Sequence, residues 1–265
     1  MFDEALDSWR EWQRSPWGRL RYSVAESNLR RWLAPLGDGP LTVLDLAGAD
    51  GGDALRLAAL GHRVTVADFS PGMLAAARER AREAGLEERL VTVEADVFDL
   101  PAAVTADRYD AVLCHNLLQY QDDPLPALRT ATGLVRAGGV VSVMAINRHS
   151  VPLGLAVRRL DPAAALAALG GRTAPGHTFD AELTLYTAEE LTPLLAELGC
   201  EDIEHCGIRT VQDHIVDDAR KHEPDFYAAL EALELALTGR HPYPHTARIL
   251  HLLARAGGRR GRRSA

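Results

Sequence analysis

Val43–Gly52, VLDLAGADGG, is the stretch whose reading decides the fold. A short branched apolar run that begins at Leu41 (LTVLDL) gives way to small residues and then to a helix-like stretch, Ala54–Leu60. Small residues let the backbone approach a ligand closely, and the helix start beyond them offers unpaired N–H groups. Downstream the alternation repeats. His62–Phe69 (HRVTVADF) reads as a second strand and Pro71–Ala84 as a helix capped by Ser70. Leu90–Val97, Tyr109–Cys114 and Gly139–Ile146 read as a third, fourth and fifth strand. Upstream, Val24–Leu36 has helical spacing and is stopped by Pro35 and Gly37. This rhythm predicts βαβ units, and so an α/β fold with a mostly parallel sheet covered on both faces.

Beyond residue 147 the rhythm breaks. His149–Leu185 holds an Ala/Leu helix and a Gly/Pro segment (GGRTAPGHTF), longer than a simple connection. Thr187–Leu198 is an amphipathic helix with Thr187 and Glu190 at capping-box spacing. Cys200–Val211 reads as a strand, Pro224–Leu237 as a helix and Ala247–Leu253 as a last strand. The expectation is a sheet of about seven strands with a helical cap. Its parts are a helical lid over 1–36, a core over 37–146 and a cap insertion over 147–185. The C-terminal half of the sheet follows over 186–256, then a disordered basic tail over 257–265.

Composition sets outer bounds. The 265 residues are 47% hydrophobic, which excludes wholesale disorder. No apolar run approaches the roughly 18–20 residues that span a bilayer. The acidic start, MFDEALDSWREW, lacks the layout of a signal peptide, so a cytoplasmic location is expected. Cys114, Cys200 and Cys206 are too few and too unevenly spaced for a disulfide framework or a zinc site. The net charge is −8, and Lys221 is the only lysine. Four arginines crowd the tail; without it, 25 positive and 37 negative charges leave −12. Such a body repels nucleic acid on average.

Asp45 lies at the end of the first strand and Asp68, 23 positions later, at the end of the second. Open α/β sheets bind ligands at these carboxyl ends, where an acid commonly takes the hydroxyls of a ribose. Asp96, in EADVF, ends the third strand, where it would meet an adenine amino group with Val97 beside the ring. A nicotinamide dinucleotide fits poorly. From Gly48 the chain offers G-A-D-G-G-D rather than G-x-G-x-x-G, and Asp50 would face a pyrophosphate. S-adenosylmethionine carries no phosphate, and its amine and sulfonium are cationic, so Asp45 and Asp50 are compatible with it. The order Asp45, small-residue loop, Asp68, Asp96, then YDAVLCHNLLQY and LVRAGGVVSVM, resembles the Rossmann-like class I methyltransferase fold over residues 41–146. The resemblance implies an S-adenosylmethionine site. Asp45, Ala47 and Gly48 come from the first loop, Asp68, Phe69 and Met73 from the second, and Asp96 and Val97 from the third strand end. The usual D-x-G-x-G-x-G is here Asp45-x-Ala47-x-Ala49-x-Gly51 with an extra Gly48. Alanine fits such a turn only at negative φ, so the loop is expected to depart from the glycine geometry.

A narrower resemblance extends past the core. Ser15–Arg21 (SPWGRLR), His115, Gly207–His214 (GIRTVQDH), Phe226–Glu234 (FYAALEALE) and Pro242–Arg255 (PYPHTARILHLLAR) are similar to the tRNA 5-carboxymethoxyuridine methyltransferase family. That family esterifies the carboxylate of a modified wobble uridine, so the implied partner is a modified tRNA anticodon. A carboxylate is ionised at pH 7 and needs no general base; it needs positioning and removal of water. Arginine forks hold carboxylates in a plane, which makes Arg209 and Arg248 candidates for orienting the acceptor. Arg21 is implied for the methionyl carboxylate of the cofactor, and His115 for the methyl-transfer zone. Other readings stay open. Arg209 and Arg248 fit structural ion pairs, Asp213 fits as an orienter of Arg209, and His115 fits as a satisfied structural histidine. Trp9, Trp12 and Trp17 fit packing better than base stacking. The chain departs from the family at Gln212, where a histidine is usual, and at Tyr120, where a tryptophan is usual. Its insertion is alanine-rich rather than basic. A small anionic acceptor, another small-molecule acid, hydroxyl or amine, or a cofactor-binding module without transfer activity remain alternatives.

Overall fold

The computed structural model describes residues 6–176 and 182–258. Ser15 caps the second helix with its Oγ, which accepts the Gly18 N–H at 3.1 Å, and Pro16 sits where no N–H is needed. The chain therefore begins with α1 (Leu6–Arg14) and α2 (Pro16–Leu33). Strands and helices then alternate through β1 (Thr42–Leu46), α3 (Gly52–Ala59), β2 (Arg63–Asp68), α4 (Pro71–Glu83) and β3 (Leu90–Glu94). A single turn, α5 (Ala102–Thr105), leads to β4 (Tyr109–His115), α6 (Leu125–Leu134) and β5 (Val135–Ile146). The expected insertion forms α7 (Ser150–Arg158), α8 (Pro162–Ala167) and a small hairpin of β6 (Thr173–Pro175) and β7 (Glu182–Thr184). The chain closes with α9 (Ala188–Glu197), β8 (Cys200–Ile208), α10 (Pro224–Leu237) and β9 (Ile249–Ala256).

Seven strands form one sheet in the order β3-β2-β1-β4-β5-β9-β8. The first five pair in parallel, while β9 runs antiparallel to both β5 and β8. The strand order reverses between β1 and β4, which opens a crevice at their carboxyl ends. One face buries Leu44, Leu46, Val112 and Val143 under Leu128 of α6 and Leu191 of α9. The other buries Val43, Leu113 and Leu253 under Leu29 of α2 and Leu57 of α3. Both caps read from the sequence are formed. Ser70 Oγ accepts the Met73 N–H at 3.1 Å, and Thr187 and Glu190 make a reciprocal capping box. Residues 177–181 and the four tail arginines lie outside the described residues, as does most of the expected disordered tail.

The loop after β1 corrects one expectation. Ala47 and Ala49 hold φ of +54° and +48°, the left-handed conformation that glycine would adopt, so the loop keeps the glycine geometry. Such a φ costs an L-residue roughly 1–2 kcal/mol. Two bonds hold it there: the Ala47 N–H donates to Ala67 O at 2.8 Å, and the Ala49 N–H donates to Asp68 Oδ2 at 2.9 Å. At Gly48 the limit is space instead. A Cβ there would lie 2.7 Å from the Asp45 carboxyl. Replacing Ala47 or Ala49 by glycine relieves the strain, partly offset by greater freedom in the unfolded chain. Each change is expected to raise stability by about 0.5–1 kcal/mol. Thermal unfolding checks this, and a lowered Tm in both variants would contradict it.

Candidate active site

The crevice opens into a cavity of about 480 Å³. Its floor is the β1 loop, the ends of β2 and β4, and Met73 of α4; Trp9, Trp12, Trp17, Arg21 and Tyr22 wall it from the N-terminal helices. The far end is formed by Ile146, Arg209, Gln212, Asp213, Arg248 and Ile249. Of the residues implied for the cofactor, Arg21, Asp45, Ala47, Gly48, Asp68, Phe69, Met73 and His115 line this one space. Asp96 and Val97 stay outside its lining. The Asp96 side chain is exposed and accepts the N–H of Phe98 at 2.9 Å, closing its own turn, while Val97 packs into the core.

The acids of the β1 loop differ in their partners. Asp68 accepts the Ser70 N–H and the Ala49 N–H, both at 2.9 Å, and so fixes the two loops against each other. Asp50, expected to favour a cationic ligand, is already compensated. Arg80 pairs with it, and Trp9 Nε1 and Gln13 Nε2 of α1 donate to it at 3.0 Å. Its role is to dock α1. Asp45 is buried, and its carboxyl is held well above the usual range, first by burial and then by Asp53. A cation placed in the cavity would relieve that cost.

Asp53, in the first turn of α3, is the residue that the sequence reading missed. It is buried between Arg21 Nη1 at 2.5 Å and His115 Nδ1 at 2.8 Å. Burial works against its charge, but Arg21 and then His115 overcome it and hold the carboxyl well below the usual range. An acid in GGD beside a helix start was a signal in the sequence, though its partners 32 and 62 residues away were not. Arg21 is thus buried and ion-paired rather than solvated. His115 is fully engaged: Nδ1 faces Asp53, and Nε2 lies 2.8 Å from Ser142 Oγ. Neither ring nitrogen is left for an acceptor group.

The two candidate acceptor arginines have different surroundings. Arg209 donates from Nε to Gln212 Oε1 at 3.0 Å and pairs through Nη2 with Asp213, so Asp213 and Gln212 orient it. Arg248 has no carboxylate within 4 Å among the described residues, and the hydrogen bond of its guanidinium there is a long 3.4 Å contact to Ser150 Oγ. Burial and then the nearby Arg209 lower its pKa. The cavity therefore contains an uncompensated guanidinium beside a compensated one. Over the mouth, Arg158 of α7 bonds Asp218 Oδ2 at 2.7 Å and the carbonyl of Ile215 at 2.8 Å. The buried Lys221 takes the other oxygen of Asp218 at 2.7 Å. The tryptophans both pack and line the cavity. Trp9 and Trp12 stack at 4.9 Å, and Trp17 meets His222 edge-on. Among the described residues no helix is long and apolar enough to cross a membrane, and no group of three or more His, Cys, Asp or Glu could hold a metal.

Burial pulls the pKa of both His115 and His251 below the ordinary value, so both stay neutral in the fold. The unfolded chain takes up those protons once the pH falls below about 6.5. The stability they withhold is thus present above that pH and is lost as it falls. Tm is expected to decline from near pH 6.5, well above the carboxylate range; a Tm flat down to pH 5 would contradict this.

Comparison with known proteins agrees with the geometry. Residues 43–139 match the family model described as a methyltransferase domain. The tRNA 5-carboxymethoxyuridine methyltransferase of Escherichia coli K12 is 29% identical over 90% of this chain and 88% of its own length. A ubiquinone biosynthesis O-methyltransferase of Dinoroseobacter shibae is 31% identical over 63% of each chain. The magnesium protoporphyrin IX methyltransferase of Synechocystis, solved with bound S-adenosylhomocysteine, superposes with a TM-score of 0.61 at 16% identity, covering 95% of this chain and 94% of that one. A Thermotoga maritima methyltransferase superposes with 0.62 at 14% identity, covering 96% and 97%. Residues 43–139 thus carry a methyltransferase domain, in a chain of class I, Rossmann-like fold that is similar over most of its length to the tRNA 5-carboxymethoxyuridine methyltransferases.

Proposed function

We propose that this protein is an S-adenosylmethionine-dependent O-methyltransferase that esterifies a carboxylate, with 5-carboxymethoxyuridine at the tRNA wobble position as the acceptor. Arg248 is the observation that carries the reading: a guanidinium in the cavity wall, its pKa lowered by burial and by Arg209, with no carboxylate within 4 Å among the described residues. An anionic acceptor supplies the missing charge, and a second fork, Arg209, stands oriented beside it. The similarity to the Escherichia coli enzyme supports this choice of acceptor.

The residues present fit the cofactor. Asp45 is an ionisable group whose burial asks for a cation, and the Gly48 backbone passes where any side chain would collide with it. Arg21 has donors to spare: Nε has no partner, and Nη2 has only the Met144 sulfur at 3.9 Å. Asp45 and Arg21 would thus hold the ammonium and the carboxylate of the methionyl end. Asp68 and Phe69, the latter 57% exposed at the rim, would hold the nucleoside. Bound there, the cofactor supplies a methyl group on a positively charged sulfur. The work left to the protein is binding, alignment and exclusion of water. Transfer to a carboxylate oxygen releases no proton, which suits a site whose histidine has both nitrogens occupied. The N-terminal lid and the insertion would exclude water, with Arg158 fastening α7 to Asp218 across the mouth. The absence of a long apolar helix among the described residues suits a cytoplasmic enzyme that meets tRNA.

Incubation with labelled cofactor and tRNA bearing 5-carboxymethoxyuridine is expected to label the tRNA as a base-labile ester. Label in a small-molecule acid and none in tRNA would move the acceptor to the second class, which the −12 charge of the body without its tail favours. Arg248→Ala is expected to cut turnover at least 100-fold, a loss of about 2.7 kcal/mol or more, and Arg209→Ala to do the same. Calorimetric affinity for S-adenosylhomocysteine should change less than threefold in both; full turnover in either variant contradicts the clamp. Asp45→Asn acts the other way. The raised carboxyl of Asp45 costs stability once the pH climbs past its ordinary value near 3.8, so the amide should raise the ligand-free Tm at pH 7. The same change should weaken cofactor binding about tenfold. An unchanged Tm together with unchanged affinity would remove Asp45 from the site.

A further inference from the structure

Arg21 and Asn28 lie seven residues apart on α2, and so on one side of that helix, and both are buried against the sheet. Between them runs an unbroken series of hydrogen bonds through three strands and the start of α3. Arg21 meets Asp53, and Asp53 Oδ2 meets His115 Nδ1 at 2.8 Å. His115 Nε2 meets Ser142 Oγ at 2.8 Å, and Ser142 Oγ meets His251 Nε2 at 2.8 Å. His251 Nδ1 meets Asn28 Nδ2 at 3.3 Å, and the same amide donates to Thr238 Oγ1 at 2.9 Å. Of these residues only Arg21, Asp53 and His115 line the cavity.

One polarity satisfies the whole series. Asp53 is ionised and can only accept, so His115 carries its proton on Nδ1 and a lone pair on Nε2. The Ser142 hydroxyl must then donate to His115, which leaves the Ser142 oxygen to accept from His251 Nε2–H. His251 is left with a lone pair on Nδ1, which accepts from the Asn28 amide. Thr238 disposes of its own proton on the carbonyl of Gly207 at 2.8 Å. Every donor points toward Asp53. Protonating His251 would set its Nδ1–H against the Asn28 amide, and protonating His115 would leave the Ser142 hydroxyl proton without an acceptor in the series, so burial and wiring both keep the histidines neutral. A buried polar series of this kind stabilises a fold no better than well-packed apolar side chains would, which leaves its directionality to be explained.

We propose that Asn28, His251 and Ser142 are positioning residues for the cofactor site. They fix the tautomer and neutrality of His115, which keeps Asp53 anionic and shared with no second cation, and so hold Arg21 in the cavity wall with its remaining donors free. The proposal rests on the reading of this cavity as the S-adenosylmethionine site.

Histidine ¹⁵N NMR on the ligand-free protein tests the wiring directly. The expected result is neutral His115 as the Nδ1–H tautomer and neutral His251 as the Nε2–H tautomer, both unchanged between pH 8 and pH 6. The opposite tautomers would overturn the proposal. The isosteric Asn28→Asp is acceptor-only when ionised, so it should reverse the series and let Ser142 accept from a protonated His115. His115 is then expected to titrate at least one pH unit higher than in the wild type; an unmoved titration would overturn the proposal even if other variants fail to fold. Ser142→Ala cuts the series in the middle and should weaken S-adenosylhomocysteine binding about tenfold by calorimetry. Wild-type protein that binds while a folded Ser142→Ala variant binds equally tightly overturns this proposal alone. Wild-type protein that fails to bind overturns the cofactor reading and this proposal with it.

Discussion

The contact between Asp53 and Arg21 is the constraint on which the rest of the site depends. Asp53 belongs to the helix that follows the ligand-binding loop, and Arg21 to the helix that covers the sheet face. A buried carboxylate without its cation would cost several kcal/mol, so α2 cannot lie elsewhere while α3 starts where β1 delivers it. The pair therefore converts a loop position into a helix position. It also leaves the cavity with a cationic end at Arg21 and an acidic one at Asp45, arranged as a zwitterionic amino acid would require.

Charge is divided along the cavity in a way that the overall balance conceals. Of the four acids read as serving a cationic ligand, Asp50 is spent on Arg80 and the N-terminal helix, and Asp96 closes its own turn. Asp68 fixes two loops through backbone N–H groups. Asp45 stands apart from these three by its carboxyl, held well above the usual range first by burial and then by Asp53. At the opposite end the same holds with the sign reversed, where Asp213 neutralises Arg209 and leaves Arg248 as the excess. A cationic donor and an anionic acceptor bound there would thus each meet one partner of opposite sign.

Much of this was legible in the sequence because it is local. VLDLAGADGG, the strand–helix alternation, Ser70 and the Thr187/Glu190 box are each written within a few residues, and the sheet follows from them. Arg21, Asp68 and His115 could be named from motifs. What could not be read is what depends on distant partners. Asp53 and Ser142 look like ordinary core-flanking residues, and His251 is only a position in the Pro242–Arg255 motif, until β4, β5 and β9 are laid side by side. The three-residue strands β6 and β7 carry no periodicity to detect. The conformation of Ala47 and Ala49 is imposed by bonds to Ala67 and Asp68, against the preference of the residues themselves.

The two anchorages of α2 have a mechanical consequence. With Arg21 tied to Asp53 at one end and Asn28 tied to His251 and Thr238 at the other, this helix is a fixed beam across the sheet. α1 reaches it through Ser15, meets it again where Gln13 Nε2 donates to Tyr22 Oη at 2.9 Å and Trp12 lies edge-on to Tyr22, and rests on the loop through Trp9, Gln13 and Asp50. An opening on that side that leaves the beam still would pivot at Ser15, break the Gln13–Tyr22 bond and carry the stacked Trp9–Trp12 pair outward. The lid read as residues 1–36 would then be, in moving parts, no more than the length of α1.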